Sequence, residues 1–126
     1  MKAAFIVAPR KFEIRDIPMP KASDNEMLVK IEACGVCSSD VPGYLANHLP
    51  FPRRAGHEPA GTVVEVGKNI RGFQVRDRIT GFWPADCYAE YAICDPTDRV
   101  ARGHGSVIEK IPDDIPFEYA LGEPLM

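Results

Sequence analysis

Short apolar runs, many of them alternating with polar residues, follow one another along this chain, and twelve prolines and ten glycines separate them. A period of two with frequent turn residues favours β-strands over helices. Short strands in this number are typical of a partly open β-barrel, so the predicted fold class is mainly β. We predict strands over Lys2–Val7, Phe12–Ile17, Met27–Ala33 (with one buried face), Ala60–Val66, Asp77–Gly81, Tyr88–Cys94 and Val107–Ile111.

Two segments have a helical rather than an alternating pattern. Ser38 or Ser39 can cap a short helix that runs to about Leu45, because serine side chains accept hydrogen bonds from the free N–H groups of a first turn. Pro42 limits this helix to a turn or so. A second helical segment begins near Phe117. The prediction is therefore a β domain with a few short helices.

The size and charge of the chain limit the classes of protein to which it can belong. With 126 residues, 45% hydrophobic and 26% charged, it fits one globular domain with a modest core. A net charge of −3 gives no basic face for nucleic acid or an anionic membrane. No apolar run approaches the roughly 20 residues of a membrane span, and the first seven residues are too short for a signal peptide. We expect a cytoplasmic protein with neither nucleic acid nor membrane as a partner.

The four cysteines, Cys34, Cys37, Cys87 and Cys94, admit several interpretations. A disulfide framework is typical of secreted proteins, and nothing marks this chain as secreted. A four-cysteine zinc knuckle needs two close pairs, whereas Cys87 and Cys94 lie seven apart. Cys34 and Cys37 have the Cys-x-x-Cys spacing of redox proteins, but that motif belongs before a helix in a βαβ unit.

Two Gly-flanked segments carry the most specific chemistry. Gly35–Asp40 reads Gly-Val-Cys-Ser-Ser-Asp, and Gly56–Ile70 begins Gly-His-Glu. Their thiolate, imidazole and carboxylate, from Cys37, His57 and Glu58, suit a zinc site that keeps one position open for catalysis. The second segment fits Gly-His-Glu-x2-Gly-x5-Gly-x2-Ile at every fixed position.

These paired motifs resemble those of the zinc-dependent medium-chain alcohol and polyol dehydrogenases. The resemblance covers nearly the whole chain and implies that residues 1–126 form the GroES-like catalytic, zinc-binding domain. In that family a Rossmann cofactor domain follows the Glu-Pro-Leu segment, here residues 123–125, and no Gly-x-Gly-x-x-Gly occurs in this sequence. We therefore expect a truncated chain that lacks the cofactor domain, contains no cofactor-binding residues and is inactive alone.

The resemblance also assigns the metal ligands. Cys37 and His57 match the two principal zinc ligands, and Glu58 matches a carboxylate that binds the metal in some catalytic states. Glu123 matches a glutamate that points at the metal directly or through water in polyol dehydrogenase-like members. The alternative for Glu123 is a charged residue on a frayed terminus.

Two neighbours of Cys37 receive further roles from the resemblance. Ser39 matches a hydroxyl that touches the substrate oxygen and passes its proton outward, so we predict it to be catalytic together with Glu58. Asp40 matches the carboxylate that hydrogen-bonds the ligand histidine and fixes its tautomer. Both Ser39 and Asp40 are also compatible with simple helix capping.

This chain departs from the family pattern in three places. Pro42 stands where a histidine often completes a proton relay, and Arg76 replaces a turn glycine. The four-cysteine lobe that binds a structural zinc is absent, its place taken by residues 82–87, so one catalytic zinc is expected. Within that stretch, Phe82 and Trp83 either line the substrate pocket or belong to the core.

The activity implied is zinc-assisted oxidation of a small alcohol or polyol, with hydride transfer to NAD or NADP bound mainly by the missing domain. The intact enzyme is expected to be a homo-oligomer. Two alternatives stay open: a zinc-free quinone reductase-like oxidoreductase domain, and a non-catalytic GroES-like interaction module. Members of the quinone reductase group usually lack the Cys37 and His57 pair, and an interaction module leaves the Cys, His and Glu set unexplained.

Overall fold

The computed structural model describes residues 1–83, 86–97 and 107–121. Within these ranges the elements are seven strands, one α-helix and one short 3-10 helix. In chain order they are β1 (Lys2–Ala8), β2 (Lys11–Asp16), β3 (Met27–Gly35), α1 (Asp40–Leu45), β4 (Glu58–Val66), β5 (Arg78–Phe82), β6 (Tyr91–Cys94), β7 (Val107–Lys110) and the 3-10 helix (Phe117–Tyr119).

The strands form two sheets. β1 and β2 make an antiparallel hairpin, and the other five strands make an antiparallel sheet in the order β6-β3-β4-β5-β7. Isolated bridges from Ala3 to Ala89 and from Ile6 to Arg53 connect the hairpin to the rest of the domain. The mainly β architecture with short helical segments confirms the predicted fold class.

The core lies on one face of the larger sheet. The buried side chains of its main cluster are Met27, Val29, Val63, Ile70, Ile79, Trp83, Cys87, Ala92 and Cys94. Burial of these apolar groups, at about 25 cal/mol per Å² removed from water, is the main force that holds the strands together. A smaller cluster joins Ala60 of β4 to Ile111 and Ala120, and so places the C-terminal part of the described chain against the sheet.

The long β3–β4 ladder is the element that positions the site. It pairs Met27 with Val66 at one end and Gly35 with Glu58 at the other. The predicted one-sided burial of β3 is wrong at its start, where Met27, Leu28 and Val29 are all buried. The register irregularity beside Leu28 and Val29 skips Val64 on β4, whereas β3 pairs with β6 without a break. Leu28 therefore lies on the face opposite Met27 and Val29, and both faces of β3 are covered at this end.

The strand predicted over Tyr88–Cys94 is shorter than expected, since β6 begins at Tyr91. The residues before it bond elsewhere: the Cys87 and Tyr88 N–H groups donate to the carbonyls of Gly56 and Ala55, at 3.1 and 3.0 Å. The segment from Cys87 to Tyr88 therefore lies beside the chain that leads into β4.

Arg76 adopts a backbone conformation that is more typical of glycine. Its φ is 77°, in the left-handed region that glycine adopts without strain. Its N–H donates to the Val63 carbonyl at 2.9 Å, so the turn before β5 is held against β4. Neither helical segment in the described residues has the length and apolar character of a membrane span.

Candidate metal site

The candidate site forms where β3 ends and β4 begins. Because Gly35 pairs with Glu58, residues just after β3 lie beside residues at the start of β4. Cys37 follows β3 by two positions, and His57 immediately precedes β4. Two segments about twenty residues apart in sequence therefore meet at one edge of the sheet.

Three side chains converge at this edge. The Cys37 Sγ, a ring nitrogen of His57 and a carboxylate oxygen of Glu58 all lie within 4.8 Å of one another, and the three residues are partly buried. The His57 Nε2 is 4.0 Å from Glu58 Oε1, and both side chains are 19% exposed. The ligand types and their closeness fit a zinc ion, which binds thiolate sulfur, imidazole nitrogen and carboxylate oxygen.

Asp40 lies on the other side of the imidazole. Its Oδ1 is 3.5 Å from His57 Nδ1, and its Oδ2 accepts a hydrogen bond from the Cys37 N–H at 3.0 Å. Asp40 thus contacts both segments that carry the donor atoms. A carboxylate facing Nδ1 favours a proton on that nitrogen and leaves the lone pair on Nε2, the nitrogen nearer Glu58.

The Ser39 side chain points to Cys37, His57 and Glu58, the donor group, rather than to the N–H groups at the start of α1. It occupies the N-cap position of α1, as predicted, but its side chain makes no capping hydrogen bond. Its Oγ is 3.2 Å from His57 Nε2. The serine hydroxyl, which is exposed, therefore reaches the same ring nitrogen that faces Glu58.

Phe82 and Trp83 differ in their surroundings. The Phe82 ring meets the His57 ring edge-on, with centroids 5.2 Å apart and planes at 68°. Trp83 is 1% exposed and belongs to the core, so it does not line a pocket. Its backbone N–H donates to the His57 carbonyl at 3.2 Å, which holds the chain at the start of β4.

The thiol of Cys34 lies outside the donor group. Burial raises the pKa of Cys34 to about 11, with the negative charges of Asp40 and Glu58 adding to the shift. A thiol with a raised pKa is a poor nucleophile at neutral pH, which argues against the Cys-x-x-Cys redox interpretation. The four cysteines are free thiols, and Cys37 is the one in the donor group.

Tyr88 also contacts the candidate site, and the sequence analysis did not identify it. Its hydroxyl donates to Asp40 Oδ2 at 2.8 Å, and the hydroxyl oxygen lies 3.2 Å from the Gly35 carbonyl oxygen. It lies 48 positions after Asp40 and within a segment predicted as an ordinary strand, so no local signal marks it. Glu123, predicted as a further ligand, lies outside the described residues.

The family of this chain follows from comparison with known proteins. Residues 23–111 match the alcohol dehydrogenase GroES-like domain. The chain is 28% identical to an uncharacterized zinc-type alcohol dehydrogenase-like protein of Haemophilus influenzae, over 99% of this chain and 43% of that protein. It is 30% identical to the D-xylulose reductase of Saccharomyces cerevisiae, over 98% of this chain and 42% of that protein.

A solved structure shows the same fold. Galactitol-1-phosphate dehydrogenase of Escherichia coli superposes with a TM-score of 0.77 at 20% identity, over 95% of this chain and 40% of that one. The chain thus spans less than half the length of each of these relatives. With the match to the family covering most of its residues, the chain belongs to the alcohol dehydrogenase GroES-like domain family.

Proposed function

We propose that residues 1–126 are the metal-binding catalytic domain of a zinc-dependent, NAD(P)-linked alcohol or polyol dehydrogenase. The observation that carries the proposal is the convergence of Cys37, His57 and Glu58, whose donor atoms lie within 4.8 Å of one another in a chain of this family. A thiolate, an imidazole and a carboxylate together suit zinc far better than magnesium or calcium, which take oxygen ligands.

Cys37, His57 and Glu58 are the residues that would hold the ion, with His57 binding through Nε2. Zinc, when bound, supplies Lewis-acid polarisation of an alcohol oxygen and lowers the pKa of the hydroxyl. Glu123 remains a predicted further ligand. The proposed pKa effect lets the substrate lose its hydroxyl proton near neutral pH.

Ser39 is the proposed first acceptor of that proton. Its hydroxyl is exposed and lies beside the donor group, 3.2 Å from His57 Nε2, and it can rotate toward a substrate oxygen. Since Pro42 carries no titratable group, the proton passes from Ser39 Oγ to solvent rather than along a histidine relay. Asp40 keeps the His57 ring oriented, and the Phe82 ring packs against the His57 ring edge-on.

One relative supports the proposed substrate class. The D-xylulose reductase, 30% identical to this chain, is named for chemistry on a sugar-derived substrate, which supports a small alcohol or polyol as substrate. The substrate carbinol loses a proton and a hydride, and the hydride reduces NAD or NADP. None of the residues described above is assigned to the nicotinamide, and a homo-oligomeric enzyme is part of the same proposal.

Metal stoichiometry tests the proposal directly. Purified wild-type protein loaded with Zn²⁺ and desalted should retain about one zinc per chain by elemental analysis. Cys37→Ser should lose it, because an alcohol is a far weaker zinc ligand than a thiolate. Cys94→Ala, a matched loss of a buried core thiol, should retain it. Equal zinc in both variants, or none in the wild type, would contradict the assignment.

A further inference from the structure

We propose that Tyr88 is a positioning residue of the metal site, which acts on His57 through Asp40 and through the chain that precedes β4. The inference rests on the proposed function, since it assumes that His57 binds the metal. Tyr88 touches none of the three donor atoms. Its contacts instead join Gly35 at the end of β3, Asp40 at the start of α1, and the Ala55–Gly56 segment.

The hydroxyl of Tyr88 fixes the direction of the Asp40 carboxylate. One carboxylate oxygen, Oδ2, accepts from both the Tyr88 hydroxyl at 2.8 Å and the Cys37 N–H at 3.0 Å. Two donors on Oδ2 prevent rotation of the carboxylate and leave Oδ1 facing His57 Nδ1 at 3.5 Å. Without the phenol, only the Cys37 N–H restrains this group, and the orientation of the imidazole becomes less defined.

The backbone and ring of Tyr88 hold the other side of the site. Its N–H donates to the Ala55 carbonyl at 3.0 Å. Gly56 has a φ of 96°, and a Cβ there would lie 2.7 Å from the Tyr88 nitrogen and 2.9 Å from its Cδ1. The ring thus packs against the backbone of the residue that immediately precedes His57, where only glycine fits.

The protonation state of Tyr88 agrees with this arrangement. Burial and the hydrogen bond to the Asp40 carboxylate raise the pKa of Tyr88. The phenol therefore stays protonated at neutral pH and remains a donor. A chain of contacts runs from Tyr88 to Asp40 to His57, with the ligand nitrogen Nε2 at its end.

The test compares two tyrosine variants that each lose one hydroxyl. Tyr88→Phe keeps the ring against Gly56 and removes the hydroxyl contacts with Asp40 and the Gly35 carbonyl. Tyr44→Phe removes a hydroxyl that donates to the Arg10 carbonyl at 2.7 Å rather than to Asp40. Zinc dissociation constants are measured by competition with a chromogenic chelator at one pH. We expect about tenfold weaker binding for Tyr88→Phe, at the lower end of the range for groups that support metal ligands, and no change for Tyr44→Phe.

Asp40→Ala, alone and combined with Tyr88→Phe, separates positioning from general stability. If Tyr88 acts through Asp40, the double variant should bind zinc no more weakly than Asp40→Ala alone. In zinc-free protein labelled with ¹⁵N, the His57 ring resonances should indicate a proton on Nδ1 in the wild type and a mixture of tautomers in Tyr88→Phe and Asp40→Ala.

Each result has one meaning. Wild-type protein that binds no zinc overturns the proposed function, and this inference with it. Wild-type protein that binds zinc, with Tyr88→Phe equal to Tyr44→Phe, overturns the inference alone. Additive losses in the double variant also overturn it, because the Tyr88 hydroxyl would then act by a route that bypasses Asp40. A Tyr88→Phe protein that fails to fold leaves the decision to Asp40→Ala, whose unchanged His57 tautomer and zinc affinity would refute the chain of contacts.

Discussion

Gly35→Ala is a one-carbon change that should displace the Glu58 carboxylate. Gly35 ends β3 opposite Glu58, and an added Cβ would lie 2.9 Å from Glu58 Oε2 and 3.4 Å from Glu58 Cβ. Ordinary contact begins at 3.4 Å, so the carboxylate oxygen must move by about 0.5 Å. Since Oε2 is the far end of a flexible side chain, rotation of Glu58 relieves the overlap without moving the sheet.

The expected energies separate metal binding from folding. Gly35 has no positive φ, so alanine fits its backbone conformation and gains about 0.4–1 kcal/mol by reducing the entropy of the unfolded chain. This gain offsets the small cost of turning Glu58, and the free energy of unfolding should stay within about 1 kcal/mol of wild type. Zinc affinity should fall about tenfold, or about 1.4 kcal/mol, because a donor group is held out of position.

Gly72→Ala is the matched control, because Gly72 has space for a Cβ but a backbone conformation that disfavours alanine. Gly72 has a φ of 85°, and nothing lies within 4 Å of an added Cβ. Alanine is strained there by about 1–2 kcal/mol, which should appear in urea unfolding of the zinc-free protein. Zinc affinity, measured by chelator competition, should be unchanged. Gly35→Ala should therefore change zinc affinity but not the free energy of unfolding, and Gly72→Ala should do the reverse.

Two results would refute this reasoning. If Gly35→Ala binds zinc like wild type while Glu58→Gln binds it weakly, the position of the Glu58 carboxylate does not depend on the space at Gly35. If Gly35→Ala lowers the free energy of unfolding as much as Gly72→Ala does, the sheet, rather than the Glu58 side chain, takes up the overlap.

Two further predictions concern buried groups away from the metal. Thr80→Val should lower the free energy of unfolding, measured in urea, by about 1–3 kcal/mol. The reason is that the buried hydroxyl donates to the Ala120 carbonyl at 2.6 Å, and valine removes this hydrogen bond. A loss below about 0.5 kcal/mol would contradict this prediction. Burial raises the pKa of Cys94. Above about pH 9 the thiol therefore stays protonated in the folded state but ionises in the unfolded state. The free energy of unfolding should fall as the pH rises from about 9 toward 11. Cys94→Ala should make that decline shallower by up to about 1.4 kcal/mol per pH unit, and an identical slope in both proteins would count against a buried, protonated thiol.

The sequence predicted the strands because their signal is local. Alternation and turn residues mark the hairpin of β1 and β2 and the pairing partners β3 and β4, whose observed bounds lie within two residues of those predicted. The early part of β3 did not follow its predicted one-sided burial, because Leu28, on the face opposite Met27 and Val29, is also covered. What covers the second face depends on the rest of the fold and cannot be read from the strand itself.

The sequence identified the candidate donor residues that converge in the structure, but not the residues that support them. Cys37, His57 and Glu58 belong to short motifs with fixed spacing, and the structure brings them together. Tyr88 contributes through a hydrogen bond to a residue 48 positions away, which requires the fold to be known. Trp83 also could not be assigned from the sequence, because its aromatic character alone does not distinguish a core residue from a residue that lines a pocket.

Ser39 connects the local conformation of the chain to its proposed chemistry. A serine at an N-cap normally accepts a hydrogen bond from the first turn, which stabilises a helix by about 1 kcal/mol. Here Ser39 has φ −69° and ψ −18°, conformational angles that belong to the helix rather than to a cap, and its hydroxyl reaches His57 Nε2 instead. The Asp40 carboxylate likewise turns back to the Cys37 N–H and toward His57. The Asp40 bond to the Cys37 N–H, three residues back, is still a local bond of the capping-box type. Ser39 is the residue whose side chain leaves its local role for the candidate site, and a local rule broken in this way is what a functional site is expected to show.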